Sequence, residues 1–136
     1  MAKSEKQKLK LLYIIQCLME KTDEEHAVTT QEIIDYLALQ GITAERKSIY
    51  TDIDLLIDFG MDIIKKPGRS GGYTLASRQF ELAELKLLVD AVQSSKFITT
   101  KKSRELIGKL ETLCSKYEAT QLHRQVVVTN RNKGNQ

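Results

Sequence analysis

Only two cysteines, two histidines and one proline occur among the 136 residues, and tryptophan is absent. Cys17 and Cys114 stand far apart, each inside an apolar helical pattern. They read as buried, reduced thiols rather than a disulfide pair. With only His26 and His123 beside them, the close paired spacing of zinc ligands is missing. The same shortage leaves no histidine in a recognisable catalytic triad, and no paired carboxylates suggest acid–base chemistry. No metal, cofactor or enzymatic activity is therefore expected. No apolar run approaches the length of a bilayer span, and the lysine-bearing start leads directly into an amphipathic pattern without a signal-peptide core. A cytoplasmic protein without a membrane partner is expected.

What is present is a soluble globular composition, 41% apolar and 29% charged, with an uneven charge distribution. The net charge of +3 is too small to argue for a polyanionic partner by itself. Residues 1–10, however, hold four lysines against Glu5, and residues 63–79 hold Lys65, Lys66, Arg69 and Arg78 with no acid. Residues 31–62 hold seven acids against Arg46 and Lys47. Such a pattern would draw a polyanion toward the basic segments and repel it elsewhere, although ordinary solvated faces look the same.

Along the chain, Leu11, Ile14, Ile15 and Leu18 make one stripe of a helix over about 5–21. Thr29-x-x-Glu32 is a capping box for a second helix, which carries Ile33, Ile34 and Leu37 and stops at Gly41. Thr43 can cap a third helix running to about Phe59 and closed by Gly60. Helix, short glycine turn and helix make the helix-turn-helix arrangement. In the third helix Ile49, Ile53, Leu56 and Ile57 share one side, while Ala44, Lys47, Tyr50, Thr51, Asp54 and Asp58 point away. The acids come late on that outer face, as suits a helix entering a DNA groove by its amino end. A plain amphipathic helix with a mixed surface has the same pattern.

The segment IIKKPGRSGGYTL, Ile63 to Leu75, contains the only proline and three of the seven glycines. A phosphate-cradling loop would need a helix after it, and a G-x-S-x-G nucleophile would need a strand-turn-helix elbow; a β-prone run follows instead. The segment reads as a hairpin placed directly after the third helix, a wing whose Lys65, Lys66, Arg69 and Ser70 would meet DNA phosphates. From Phe80 to Ser95 the sequence FELAELKLLVDAVQSS predicts a helix with two apolar bands. Leu82, Leu85, Leu88, Val89 and Val92 form one band, and Phe80, Ala83, Leu87 and Ala91 the other. The second band either packs within the chain or forms a homodimer seam. Thr99 or Thr100 begins a further helix to about Tyr117. The run Val126–Val128 reads as a disordered end or as the first strand of another domain.

The expected organisation is mainly α with a small β-hairpin: a winged helix-turn-helix over 1–78, a helical hairpin over 79–120 and a tail over 121–136. Glu45 to Leu75, ERKSIYTDIDLLIDFGMDIIKKPGRSGGYTL, resembles the winged helix-turn-helix that opens bacterial WYL-domain transcriptional regulators. The resembling positions are Arg46, Lys47, Ser48, Tyr50, Asp52, Ile53, Gly60, Gly72, Tyr73 and Leu75. Thr51 departs from the arginine often found there, and the effector-sensing domain with its Trp-Tyr-Leu signature does not occur in these residues. The resemblance implies a sequence-specific module for double-stranded DNA within a transcriptional regulator. Arg46, Lys47, Tyr50 and Thr51 would face the major groove, Ser48 would hold phosphate, and Lys65, Lys66, Arg69 and Ser70 would grip the flanking backbone. The alternative is a protein-interaction module built on the same winged fold.

Overall fold

The computed structural model describes residues 3–68 and 71–134, with side chains described between 6 and 126. The fold is mainly α with one antiparallel hairpin: α1 (Lys3–Lys21), α2 (Thr30–Leu39), α3 (Arg46–Phe59), β1 (Ile63–Lys66), β2 (Gly72–Leu75), α4 (Leu82–Ser94), α5 (Thr100–Glu111) and α6 (Lys116–Gly134). The chain divides into two compact units, Met1–Ser77 and Arg78–Gln136.

In the first unit the capping box at Thr29 forms in both directions. Glu32 N–H donates to Thr29 Oγ1 and Thr29 N–H donates to Glu32 Oε1, each at 3.1 Å. Two donors that the first turn of α2 would leave orphaned are thereby satisfied. The end of α2 is equally specific. Gly41, at φ 79°, donates to Ala38 O at 3.0 Å, and Ile42 donates to Leu37 O at 2.9 Å. This pair of hydrogen bonds closes the helix and directs the Ile42 side chain into the core, where it is buried. Anchoring Ile42 delays α3. The helix begins at Arg46 with Glu45 as an N-cap that makes no side-chain bond, so the expected cap at Thr43 is not used. Ile49, Ile53 and Leu56 are buried as expected, whereas Ile57 lies at the edge of the stripe and is exposed.

The hairpin pairs Ile63 with Leu75 and Lys66 with Gly72. It does not project freely. Val28 and Tyr73 exchange backbone bonds of 3.0 and 2.8 Å, so the loop before α2 adds a one-residue third strand to β2. Thr22 Oγ1 accepts from Leu75 N–H at 3.0 Å and donates to Leu18 O at 2.7 Å, tying the hairpin base to the end of α1. Ile63, Tyr73 and Leu75 join Ile14, Leu18, Ile33, Leu37, Ile49 and Ile53 in one core.

In the second unit Leu85, Val89, Ile107, Cys114 and Leu122 form a separate core. Two expectations are corrected here. The helix expected to run to Tyr117 ends at Glu111, because Ser115 Oγ accepts from Glu118 N–H at 3.1 Å and starts a new helix. The segment Val126–Val128 is helical rather than a strand or a disordered end, and helix α6 occupies most of the expected 121–136 tail. Its Ala119, Leu122 and Val126 follow helical spacing and pack on the core of this unit, while Gln125 reaches Lys86 O at 3.1 Å. That packing overrides the β preference of Val126, which has no strand to pair with among the described residues.

Candidate nucleic-acid interface

Helix α3 presents three faces besides its buried one, and they divide the motif residues. At about 100° per residue, Arg46, Tyr50 and Asp54 form a row toward the hairpin. Lys47, Thr51 and Asp58 lie farther round toward solvent, and Ser48 and Asp52 turn the other way, toward α1. Arg46 and Tyr50 of the first row border an open groove. Its walls are Thr29, Thr30 and Gln31 at the amino end of α2, Arg46 and Tyr50 of α3, and Lys65, Lys66, Gly68 and Gly71–Tyr73 of the hairpin.

Gly72 explains how these walls come so close. A Cβ built there would lie 2.2 Å from Val28 O, and its φ is 140°. Only glycine allows the strand to press on the loop before α2. Tyr73 then reaches under the groove, with its hydroxyl 3.3 Å from Thr30 Oγ1. Arg46 Nη2 donates to Gln31 Oε1 at 3.3 Å, which holds the guanidinium beside the α2 amino end. That end carries the partial positive charge of the helix dipole, partly offset by Glu32 in its first turn, so the groove combines a helix terminus with three cationic residues, of which Lys65 is paired with Asp54.

The expected site residues therefore fall into four groups. Arg46, Tyr50, Lys65 and Lys66 share the groove, and Tyr50 is about half exposed. Lys47 and Thr51 are exposed on the adjoining strip, with Thr51 Oγ1 donating back to Lys47 O at 3.1 Å. Ser48 is placed elsewhere. It is half-buried and accepts a hydrogen bond from Lys10 Nζ, so its hydroxyl serves the α1–α3 contact and does not face the groove. Arg69 and Ser70 lie outside the described residues.

Two residues matter that were not among the expected site residues. Lys10 is buried within α1, and its Nζ lies 2.7 Å from Asp52 Oδ2, with the two side chains only 10% and 15% exposed. Asp52 Oδ2 is buried and receives no well-directed hydrogen bond among the described residues, so the ion pair alone neutralises it. The signal was present in the sequence: Lys10 falls on the stripe of Ile14, Cys17 and Leu18, where a lone lysine needs a partner. Asp54 is the second. Its Oδ1 lies 2.6 Å from Lys65 Nζ, joining α3 to β1 across the groove edge. The hydrogen bond to Asp54 raises the Lys65 pKa above its ordinary value.

A family model described as the D3 domain of FokI matches residues 12–68. The match is to a DNA-binding-related domain. It covers less than half of the chain, yet includes α2, α3, β1 and the groove residues from Thr29 to Gly68. No curated protein and no solved structure matches the chain. Among the described residues, no cluster of three or more His, Cys, Asp or Glu could hold a metal ion, and no helix is long and apolar enough to cross a membrane.

Proposed function

We propose that the chain is a sequence-specific, double-stranded DNA-binding module of a bacterial transcriptional regulator. On this reading it is cytoplasmic, performs no catalysis and is of the WYL-regulator type. The observation that carries this reading is the convergence of the α2 amino end, Arg46, Tyr50, Lys65 and Lys66 on one groove. It supports a phosphate seated in the groove, held by the helix terminus and the cations, while the exposed amino half of α3 lies in the adjacent major groove. Lys47, Tyr50 and Thr51 would then read base edges, and Lys65 and Lys66 would grip the backbone, with Arg69 and Ser70 extending that grip at the hairpin tip. The domain match over residues 12–68 supports the coarse part of the reading.

The test is a fluorescence-anisotropy titration of labelled duplexes at several salt concentrations, combined with selection from randomised duplexes. Lys66→Ala should weaken binding to all sequences and lower the salt slope by about 0.9, the value for one lost phosphate contact. Lys47→Ala and Tyr50→Ala should change the selected sequence. Equal losses on every sequence from both sets would contradict the assignment of α3 as the reading helix. A homodimer through Phe80–Ser95 would make the selected sites symmetric. The exposed Ala83, Leu87 and Ala91 along α4 supply an apolar band for it.

A second reading, a protein-interaction module, draws on the carboxyl half of α3. Leu55 and Phe59, one turn apart, are 52% and 83% exposed. Failure to bind duplex DNA at low salt, with a stable complex lost in Leu55→Ser/Phe59→Ser, would favour it.

A further inference from the structure

Lys65 and Lys66 are neighbours on β1 and both line the groove, but they are not equivalent. Lys66 has no ion-pair partner among the described residues, whereas Lys65 is already held by a carboxylate of α3. Both members of that pair stay accessible, with the Lys65 and Asp54 side chains 55% and 64% exposed. Nothing buries the pair, so water, salt or a phosphate oxygen can reach the ammonium. Asp54 also belongs to the same row as Arg46 and Tyr50, so its charge lies on the side of α3 that a polyanion in the groove would meet.

We propose that Asp54 is a built-in competitor for DNA phosphate. In the free chain its carboxylate occupies Lys65, and a backbone phosphate gains that lysine only by displacing Asp54. The residue thereby limits the affinity of binding. The inference rests on the DNA-binding reading above. An exposed pair of this kind is weak, which is what exchange requires: strong enough to be formed in the free chain, weak enough to yield to a polyanion whose bound counterions are released on contact. Exchange conserves charge at Lys65, replacing one anionic oxygen by another, and returns Asp54 to water at the groove edge. The carboxylate then lies near the incoming phosphates, a repulsion that the amide of Asn would not exert.

The experiment measures anisotropy of a labelled mixed-sequence duplex at four salt concentrations with the full chain, Asp54→Asn, Lys65→Gln, the double variant, and Asp58→Asn. Asp58 is an exposed acid four residues farther along α3 with no cation partner among the described residues, so it reports general repulsion alone. The expected result is that Asp54→Asn tightens binding about two- to fivefold, the effect of losing a weak exposed competitor. The salt slope should change by well under about 0.9, because Lys65 meets one phosphate in both complexes. The tightening should disappear in the Lys65→Gln background and be smaller in Asp58→Asn. An affinity unchanged by Asp54→Asn would overturn the proposal, as would equal tightening from Asp54→Asn and Asp58→Asn. If no variant binds duplex DNA at low salt, the DNA-binding reading itself fails, which is a different outcome from failure of the competitor alone.

Discussion

Replacing Lys10 by methionine isolates the buried contact between α1 and α3. Methionine keeps most of the lysine stem and removes the ammonium, leaving the Asp52 carboxylate at 15% side-chain exposure with no counter-charge. Breaking one half of a buried ion pair costs about 3–5 kcal/mol, and residual water access places this pair near the lower end, about 3 kcal/mol. The first unit spans Met1–Ser77. For a domain of that size the urea dependence is about 1 kcal/mol per molar, so the midpoint should fall by about 3 M. Far-UV circular dichroism follows the transition without a tryptophan probe. The companion variant Lys10→Met/Asp52→Leu removes both charges and should recover to within about 1 kcal/mol of the parent, because an apolar pair avoids the desolvation cost altogether. A midpoint shift under about 0.5 M for the single variant would refute the buried-pair argument. So would a double variant as unstable as the single one, which would mean that lost packing rather than stranded charge dominates.

Gly72→Ala should detach the hairpin from Val28. The added Cβ would lie 2.2 Å from a backbone oxygen and the φ of 140° suits glycine alone, so a loss of roughly 2 kcal/mol or more is expected in the same urea assay. Gly68→Ala is the informative control: its φ of 99° is also unfavourable, but nothing lies within 4 Å, so it should cost less. The pH dependence follows from Cys17, whose pKa burial pushes up to about 11 from an ordinary 9.0. A raised value means stability is fully present below pH 9 and is lost as pH rises toward 11, by about 2 kcal/mol at pH 10.5. Tyr36, pushed up to about 12 chiefly by burial and then by the Glu20 charge, acts in the same direction at higher pH. Cys17→Ala should flatten the urea midpoint between pH 9 and 10.5, and an unchanged slope would show that the thiol is not the group responsible.

The elements most legible in the sequence were those with local causes. The capping box at Thr29, the glycine stop at Gly41 and the proline–glycine turn after Lys66 each act within a few residues, and each element they bound is present. The start of α3 was misplaced because its cause is not local: the burial of Ile42 against the core decides how many residues stay extended before the helix begins. The valines of α6 misled for a related reason, since their β preference is intrinsic while the apolar surface of α4 and α5 that Val126 meets is tertiary. Ser115-x-x-Glu118 was a visible start signal, but the apolar stripe through Leu113, Cys114 and Tyr117 runs across it and concealed it. At the candidate site, helical periodicity placed Tyr50 and Lys47 on the outer side. It could not say which flank of α3 meets α1, and that is what separates Ser48 from Arg46.

The motif around α3 is thus better understood as several contacts than as a single DNA-facing surface. Residues 46–54 supply a hydroxyl and an acid to α1 through Ser48 and Asp52, a cation and a phenol to the groove through Arg46 and Tyr50, and a carboxylate to the hairpin through Asp54. Each contact fixes the helix from a different side. Lys10 holds it from behind, and the Lys65–Asp54 pair ties its carboxyl half to β1. The two ties differ in burial, and burial decides what each can do. The Lys10 pair is shielded, expensive to break and unchanged by a partner, so it sets the rotation of α3. The Lys65 pair is exposed, weak and within reach of an anion, so a partner can rearrange it. On the DNA-binding reading proposed above, a helix held rigidly at one flank and reversibly at the other would keep its reading face fixed while the hairpin cations adjust to the DNA backbone. On that division, Lys10→Met/Asp52→Leu should broaden the sequences selected without changing the salt slope, while Asp54→Asn should tighten binding to every duplex without changing the sequences. The reverse pattern would mean that orientation and grip are not separately encoded in this helix.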